Sequence, residues 1–265
     1  MPLNEAVAND AQATITRIYD PRVDLALGDL GGVSSRDKFG YIKGLGSSIQ
    51  LGSPSTWVDL WQYGGMRNTP TGSFTPFMAS SSASDTVEIT VPYLDANGLE
   101  QEVSVNLTGQ TPVSLVVTAT EVVRAFNSDS TNLAGTVTIT TANNFTSGVA
   151  DNQSEVLVSI DPVDQQSQVL AFRVPAGKKA LIFETDVFLS RDSGAAGSAD
   201  IVLQKRESGG VWRTVRNFRL NTAAAIINLE SIVLPPLTDF RARIRDVSDN
   251  SSSISGTLNY LLIEI

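Results

Sequence analysis

From Trp57 onward, apolar and polar positions alternate along much of the chain. Val87-Glu88-Ile89-Thr90-Val91 and Val103-Ser104-Val105-Asn106-Leu107 alternate cleanly. A period of two predicts half-buried strands. Between them lies Leu94-Asp95-Ala96-Asn97-Gly98-Leu99, whose Asn-Gly predicts a tight hairpin. Further short β runs follow at Pro112–Ala119, Thr136–Thr140, Glu155–Ile160 and Val169–Val174. After the turn Pro175-Ala176-Gly177 come Lys179–Leu189, Asp200–Arg206, Val211–Leu220, Ile226–Leu234, Asp239–Val247 and Ser255–Ile265. Many short strands separated by regular turns predict a sandwich or barrel. Only Thr120–Phe126 offers a helical alternative in this body. The last run, Leu258–Ile265, is nearly continuous apolar, so it belongs in the middle of a sheet or in an interface, not at an open edge.

The first 55 residues read differently. Alternation is sparse, and Gly28, Gly31, Gly32, Gly40, Gly44, Gly46 and Gly52 interrupt the segment. This pattern predicts an extended arm, with a short helix near Asn4–Ala13, that orders against a partner or its own domain. The fold class is therefore all-β: a jelly-roll-like antiparallel β-sandwich over 56–265 behind an N-terminal arm over 1–55. The polar stretch 143–154 is the candidate break if the body has two lobes. Trp57 and Trp61 fall where arm meets body, share a face in either a strand or a helical turn, and precede Tyr63 and the Gly64-Gly65 break. Three uses are open to them: a sugar platform, a catalytic wall or a packing anchor. The third is favoured.

Composition removes most enzyme classes. The 265 residues include no Cys and no His. Disulfides, thiolate zinc sites, His-ligated metals and Ser-His-Asp or Cys-His catalysis are all excluded. No cofactor motif is present: Gly28–Gly32 lacks the Lys and the strand-to-helix setting of a phosphate loop. No apolar run is long enough to span a membrane, and MPLNEAVANDAQ lacks the pattern of a signal peptide. The net charge of −9 argues against general affinity for nucleic acid. Paired carboxylates are the remaining catalytic route, and spacing alone cannot identify them among 28 acids. Asp95-Ala96-Asn97-Gly98 lacks the later ligands of a calcium loop, and Asn127–Asn132 reads as a turn.

The most distinctive charged feature is Phe240-Arg241-Ala242-Arg243-Ile244-Arg245. In a strand, Phe240, Ala242 and Ile244 face the core and Arg241, Arg243 and Arg245 form a row on the other side. The row either docks an acidic surface, such as a capsid face or an anionic glycan, or pairs across strands with acids such as Glu184 and Asp186. No aromatic is interleaved on the Arg face in the local sequence, which disfavours nucleic acid further.

The order of short motifs resembles that of virion-associated structural proteins from marine tailed phages. Lys38-Phe39-Gly40, Trp61–Gly65, Ser80–Asp85, Leu94-Asp95, Asn106–Val113 (NLTGQTPV), Arg124-Ala125-Phe126, Gly135–Ile139 and Val174-Pro175-Ala176-Gly177 carry the resemblance. Relatives often carry a glycine-rich insert after the Asp, whereas here Asp85 runs straight into Thr86-Val87. The resemblance implies a non-enzymatic virion protein that decorates or cements the capsid, made in the host cytoplasm. Its implied partners are the major capsid protein and copies of itself in a homotrimer, with no nucleic acid and no membrane. The alternative is a tail- or neck-associated adhesion module binding glycan through Trp57, Trp61, Tyr63 and Trp212. Under the first reading Trp57, Trp61, Tyr63, Arg241, Arg243 and Arg245 are interface candidates.

Overall fold

A computed structural model describes residues 32–45, 48–191, 197–221, 225–228, 231–248 and 252–265. The expected helix near Asn4–Ala13 lies outside these residues. The first strand is Val33–Leu45 (β1). The chain then runs through Val58–Asp59 (β2), Phe77–Ser80 (β3), Glu88–Asp95 (β4), Glu100–Asn106 (β5), Val113–Ser114 (β6) and Ala119–Val122 (β7). It continues through Phe126–Asn127 (β8), Val137–Thr140 (β9), Phe145–Thr146 (β10), Val149–Ala150 (β11) and Val156–Ile160 (β12). Next come Ala171–Arg173 (β13), Lys178–Arg191 (β14), Ser198–Arg206 (β15), Arg213–Asn221 (β16) and Ala225–Asn228 (β17). Ile232–Leu234 (β18), Asp239–Val247 (β19) and Ser252–Glu264 (β20) complete the series.

These strands form two antiparallel sandwiches. In the first, a sheet ordered β1-β20-β14-β17, with β18 also on β14, faces a sheet ordered β13-β19-β15-β16, with β2 also on β19. One core lies between them, from Ile42 and Leu60 through Phe172, Leu203 and Phe240 to Tyr260. In the second, β12-β9-β3-β6 faces β5-β4-β7, with β8 also on β4, and a separate core runs from Trp61 through Ile89 and Ile139 to Val158. The second sandwich is thus inserted between β2 and β13.

The all-β class and several local expectations hold. Asn97-Gly98 turns the β4–β5 hairpin, with Gly98 at φ +77° and the Asp95 carboxylate accepting from the amides of Asn97 and Leu99. The C-terminal strand β20 lies between β1 and β14 in mid-sheet. Three expectations are corrected. Residues 33–45, read as arm, are a 13-residue strand in register with β20 from Val33↔Ile263 to Ile42↔Ile254. The 143–154 stretch is not a break between lobes, because it joins β9 to β12, neighbours in one sheet. Ala119–Val122 is strand, not helix, because it pairs with β4.

The actual crossings between the sandwiches are at residues 60–61 and 169–170. Leu60 and Leu170 enter the first core, while Trp61 and Val169 enter the second. Successive side chains of an extended segment point to opposite sides, so each crossing serves both cores. Backbone bonds hold the crossings: Leu60 N–H donates to Ala242 O, Leu170 N–H to Leu60 O and Ala242 N–H to Leu170 O, each at 3.0 Å. Gly40 of β1 lies against this crossing, where a Cβ would approach Leu60 O to 2.4 Å.

Candidate functional site

Two charged groups are built at this junction. The first is buried between the sandwiches. Lys38 on β1 donates across the junction to Val123 O. Arg67 donates from its backbone to Asp59 Oδ2 at 2.7 Å, from Nε to Leu157 O at 2.6 Å and from Nη2 to Val122 O at 3.0 Å. The same Nη2 pairs with Glu121 Oε1, and Glu121 Oε2 is buried without a hydrogen bond. Lys38, Arg67 and Glu121 are all almost fully buried. Burial, and then the Arg67 guanidinium, lower the Lys38 amine to about 7, with Glu121 opposing. An open cleft of about 710 Å³ adjoins the group, lined by Arg36, Lys38, Tyr93, Glu102, Arg124 and Tyr260 among others.

The second group is the arginine row on β19. Phe240, Ala242 and Ile244 lie in the core, as the alternation predicts. Arg243 Nε lies 3.3 Å and Arg241 Nη1 3.8 Å from Asp59 Oδ1, and Arg245 Nη2 lies 2.9 Å from Asp200 Oδ1. The row is therefore paired across strands, but with Asp59 and Asp200, not with Glu184 and Asp186. Those two acids are on β14, in the opposite sheet, where Glu184 accepts from Asn259 at 2.7 Å. Burial pushes the Asp59 carboxyl up, and Arg241 and Arg243 pull it back. Burial likewise lowers Arg241 to about 10.

Aromatic rings cover the row, contrary to expectation. The Trp212 ring centroid is 3.8 Å from the Arg241 guanidinium and 4.8 Å from that of Arg206. The Trp57 centroid is 5.4 Å from Arg243 and 5.6 Å from Arg245. Local sequence could not show this, because the rings arrive from segments distant in sequence or from the neighbouring hairpin. Cation–π contact of this kind holds ring and guanidinium together.

The interface candidates thus separate. Trp61 is only 1% exposed, lies in the second core and donates its indole N–H to Gly65 O at 3.1 Å. Tyr63 packs beside it, with ring centroids 5.3 Å apart. Trp57 lies on the arginine face and donates to Gln50 O at 3.0 Å. Trp57 and Trp61 do not share a face, since only Val58–Asp59 between them is strand. A single platform of Trp57, Trp61, Tyr63 and Trp212 is excluded by the burial of Trp61. Sequence reasoning missed Lys38, Arg67 and Glu121 as a group. A signal existed: Arg67 and Arg124 are the only basic residues between positions 61 and 170.

Further ion pairs tie the sandwiches. Arg173 on β13 donates to Asp239 Oδ1 at 2.7 Å, Thr120 O at 2.9 Å and Pro70 O at 2.7 Å. Arg206 shares Asp239 and reaches Thr69 O at 3.2 Å, and Lys178 pairs with Glu100 at 2.7 Å. Most of these arginines serve to join the two bodies. Among the described residues no three acids come together as a metal group.

Neither a family model nor a curated protein matches the chain. Among solved structures it is similar to "Structure of infectious bursal disease virus Gx strain", at 11% identity and a TM-score of 0.26, over 89% of this chain and 73% of that one. It is also similar to "Crystal structure of infectious bursal disease virus VP2 subviral particle", at 9% identity and a TM-score of 0.23, over 92% and 78%. Likenesses this distant carry no argument about function.

Proposed function

We propose that this chain is a virion structural protein of a tailed bacteriophage that decorates or cements the capsid as a homo-oligomer, a trimer in the simplest form. The observation that carries the reading is the strand order of the first sandwich. Its main strands, numbered along the chain, are β1, β13, β14, β15, β16, the β17–β18 pair, β19 and β20. One sheet then reads 1-8-3-6 and the other 2-7-4-5. This order supports a jelly-roll reading, an architecture shared by viral capsid and lectin domains. Fold alone does not assign function, so the motif order from Lys38 to Gly177 is the second support. The arginine face and the buried charges at the junction suit a rigid two-body shell component. Phe39, Phe188 and Val233, on strands of the β1-β20-β14 sheet, are 42%, 44% and 58% exposed and offer apolar area for subunit contacts. Residues 1–31 are proposed to carry further contacts between subunits.

Mass-spectrometric copy number in purified virions tests the reading. Hundreds of copies support the capsid role. About a dozen copies or fewer place the protein at the neck or tail, and absence from virions refutes the reading.

A further inference from the structure

The β12-β9-β3-β6 sheet carries a pocket on its outer face that shares no residue with either charged group. Val137 and Ile139 of β9, and Val158 and Ile160 of β12, point into the second core. Thr138 and Ser159 lie opposite each other in register, so both point outward. Ala79 of β3 pairs with Thr138 on its other side. This rung of three small side chains leaves room above the sheet. A pocket of about 320 Å³ occupies that room. It is walled by Tyr63, from the crossing segment, and by Gly148 and Val149 at the β10–β11 turn. Under these walls Thr138 and Ser159 are each only 3% exposed, although they face away from the core.

The walls are fixed by contacts outside the pocket. Gln62 donates to Ser159 O at 2.9 Å and accepts from the Gln168 amide at 2.8 Å, which holds the 62–63 segment on β12. The β10–β11 hairpin turns through Ser147 and Gly148, both at positive φ, as its tightest turn type requires. The polar groups inside, by contrast, are unspent. Among the described residues, the Tyr63 phenol and the hydroxyls of Thr136, Thr138 and Ser159 have no hydrogen-bond partner in the protein. None of these four oxygens is sealed from solvent either, so the pocket is what Thr138 and Ser159 open onto. Asp161 also lines the pocket. Its Oδ1 accepts from the Val163 amide at 2.8 Å, which leaves Oδ2 for a ligand. The lining contains no Lys and no Arg.

We infer that this pocket binds one neutral pyranose ring, as the terminal sugar of a glycan. A hydroxyl both donates and accepts. Tyr63, Thr136, Thr138 and Ser159 can therefore meet sugar hydroxyls in either sense, and Asp161 accepts. Tyr63 adds an aromatic body with a polar tip, suited to a ligand with C–H and O–H faces. Ligand pockets start at about 300 Å³, so this one suits a single ring. A phosphate, sulfate or carboxylate would meet Asp161 with no cation to balance it. An apolar ligand would leave the carboxylate and the hydroxyls unpaired, at a cost in desolvation. The sugar instead replaces the water on each of them. The inference goes beyond the virion role and does not depend on where in the particle the protein sits.

Ligand-observed saturation-transfer NMR on the purified full chain tests the site, with the methyl pyranosides of glucose, galactose and mannose as probes. A ligand this small should bind with a dissociation constant of roughly millimolar order. At least one probe should show transfer. Thr138→Val with Ser159→Ala removes two hydroxyls and should weaken binding about tenfold or more. Those hydroxyls bond nothing inside the protein, so the urea midpoint should not fall, and lost binding is then not lost fold. Tyr63→Phe removes only the phenol and should weaken binding severalfold. Trp212→Ala, on the arginine face of the other sandwich, should leave binding unchanged. No transfer from any of the three probes, at concentrations up to about ten times that order, overturns the inference. So does binding that neither the double variant nor Tyr63→Phe weakens. Binding lost in Trp212→Ala but kept in the double variant would move the sugar to the arginine face and overturn it as well.

Discussion

The buried Lys38 amine gives the chain a stability that should climb with pH above neutrality. In the unfolded chain the amine titrates near 10.5, and in the fold at about 7. Between these values the unfolded state holds more protons than the folded state. Stability therefore rises with pH, by up to about 1.4 kcal/mol per unit. Below pH 7 both states hold the proton, and the penalty of burying the charge is fully present. From pH 7 to pH 9 the integrated gain is about 2 kcal/mol. Lys38 is only 6% exposed, so solvent screening takes little from this figure.

The charges around the amine are Arg67, Arg124, Glu121 and Asp37. No His or Cys exists to titrate in the same window, and burial pushes Tyr63 and Tyr260 up, away from it. Burial also raises Asp59 and Asp186. A raised acid loses stability as pH rises, the opposite sign. Urea unfolding followed by tryptophan fluorescence from pH 6 to pH 9 should show the climb in the wild type. Lys38→Met removes the amine but keeps the side-chain length, so its curve should lack the climb. The difference between the two curves cancels Asp59, Asp186 and the terminal amine. Parallel curves for the two proteins would refute the claim that Lys38 is buried with a depressed pKa.

Two further substitutions probe the junction and the second sandwich. Glu121→Gln leaves Arg67 buried without its counter-charge and should cost about 3–5 kcal/mol in urea unfolding. It should also move the Lys38 climb to lower pH, since Glu121 raises that amine. Gly148 has φ +75°, and a Cβ there would come within 1.8 Å of Ser80 O. Gly148→Ala should cost about 3 kcal/mol from strain and overpacking, whereas Gly72→Ala, with nothing within 4 Å, should stay within about 0.5 kcal/mol.

The legible part of the fold was the part governed by local period. The β4–β5 hairpin, the central β20 and the split of Phe240–Arg245 into core and outer faces all follow from alternation of two. β1 was hidden because its apolar core side is interrupted: Ile42 and Leu45 enter the core, but the two preceding core-side positions are not apolar. Lys38 and Gly40 take them, one to reach Val123 across the junction, the other to let the Leu60 backbone approach. The same contacts that make β1 a strand thus remove the pattern by which a strand is recognised.

The arginine row shows the complementary case. Its period of two placed the side chains on the right face but could not name their partners. Asp59 lies more than 180 residues before Arg243, and Trp57 reaches the same face from the same distant segment. Charge spacing therefore predicted where the guanidinium groups point, and topology decided what they meet. β2, carrying Asp59 and flanked by Trp57, is laid beside β19. This consumes Arg243 and much of Arg241 inside the molecule. Beyond β15 lies β16, where Arg219 is exposed on the side of the row while Arg213 pairs with Lys205 on the other side, as their spacing predicted. The exposed arginine on that face therefore lies two strands away from where the sequence is most basic.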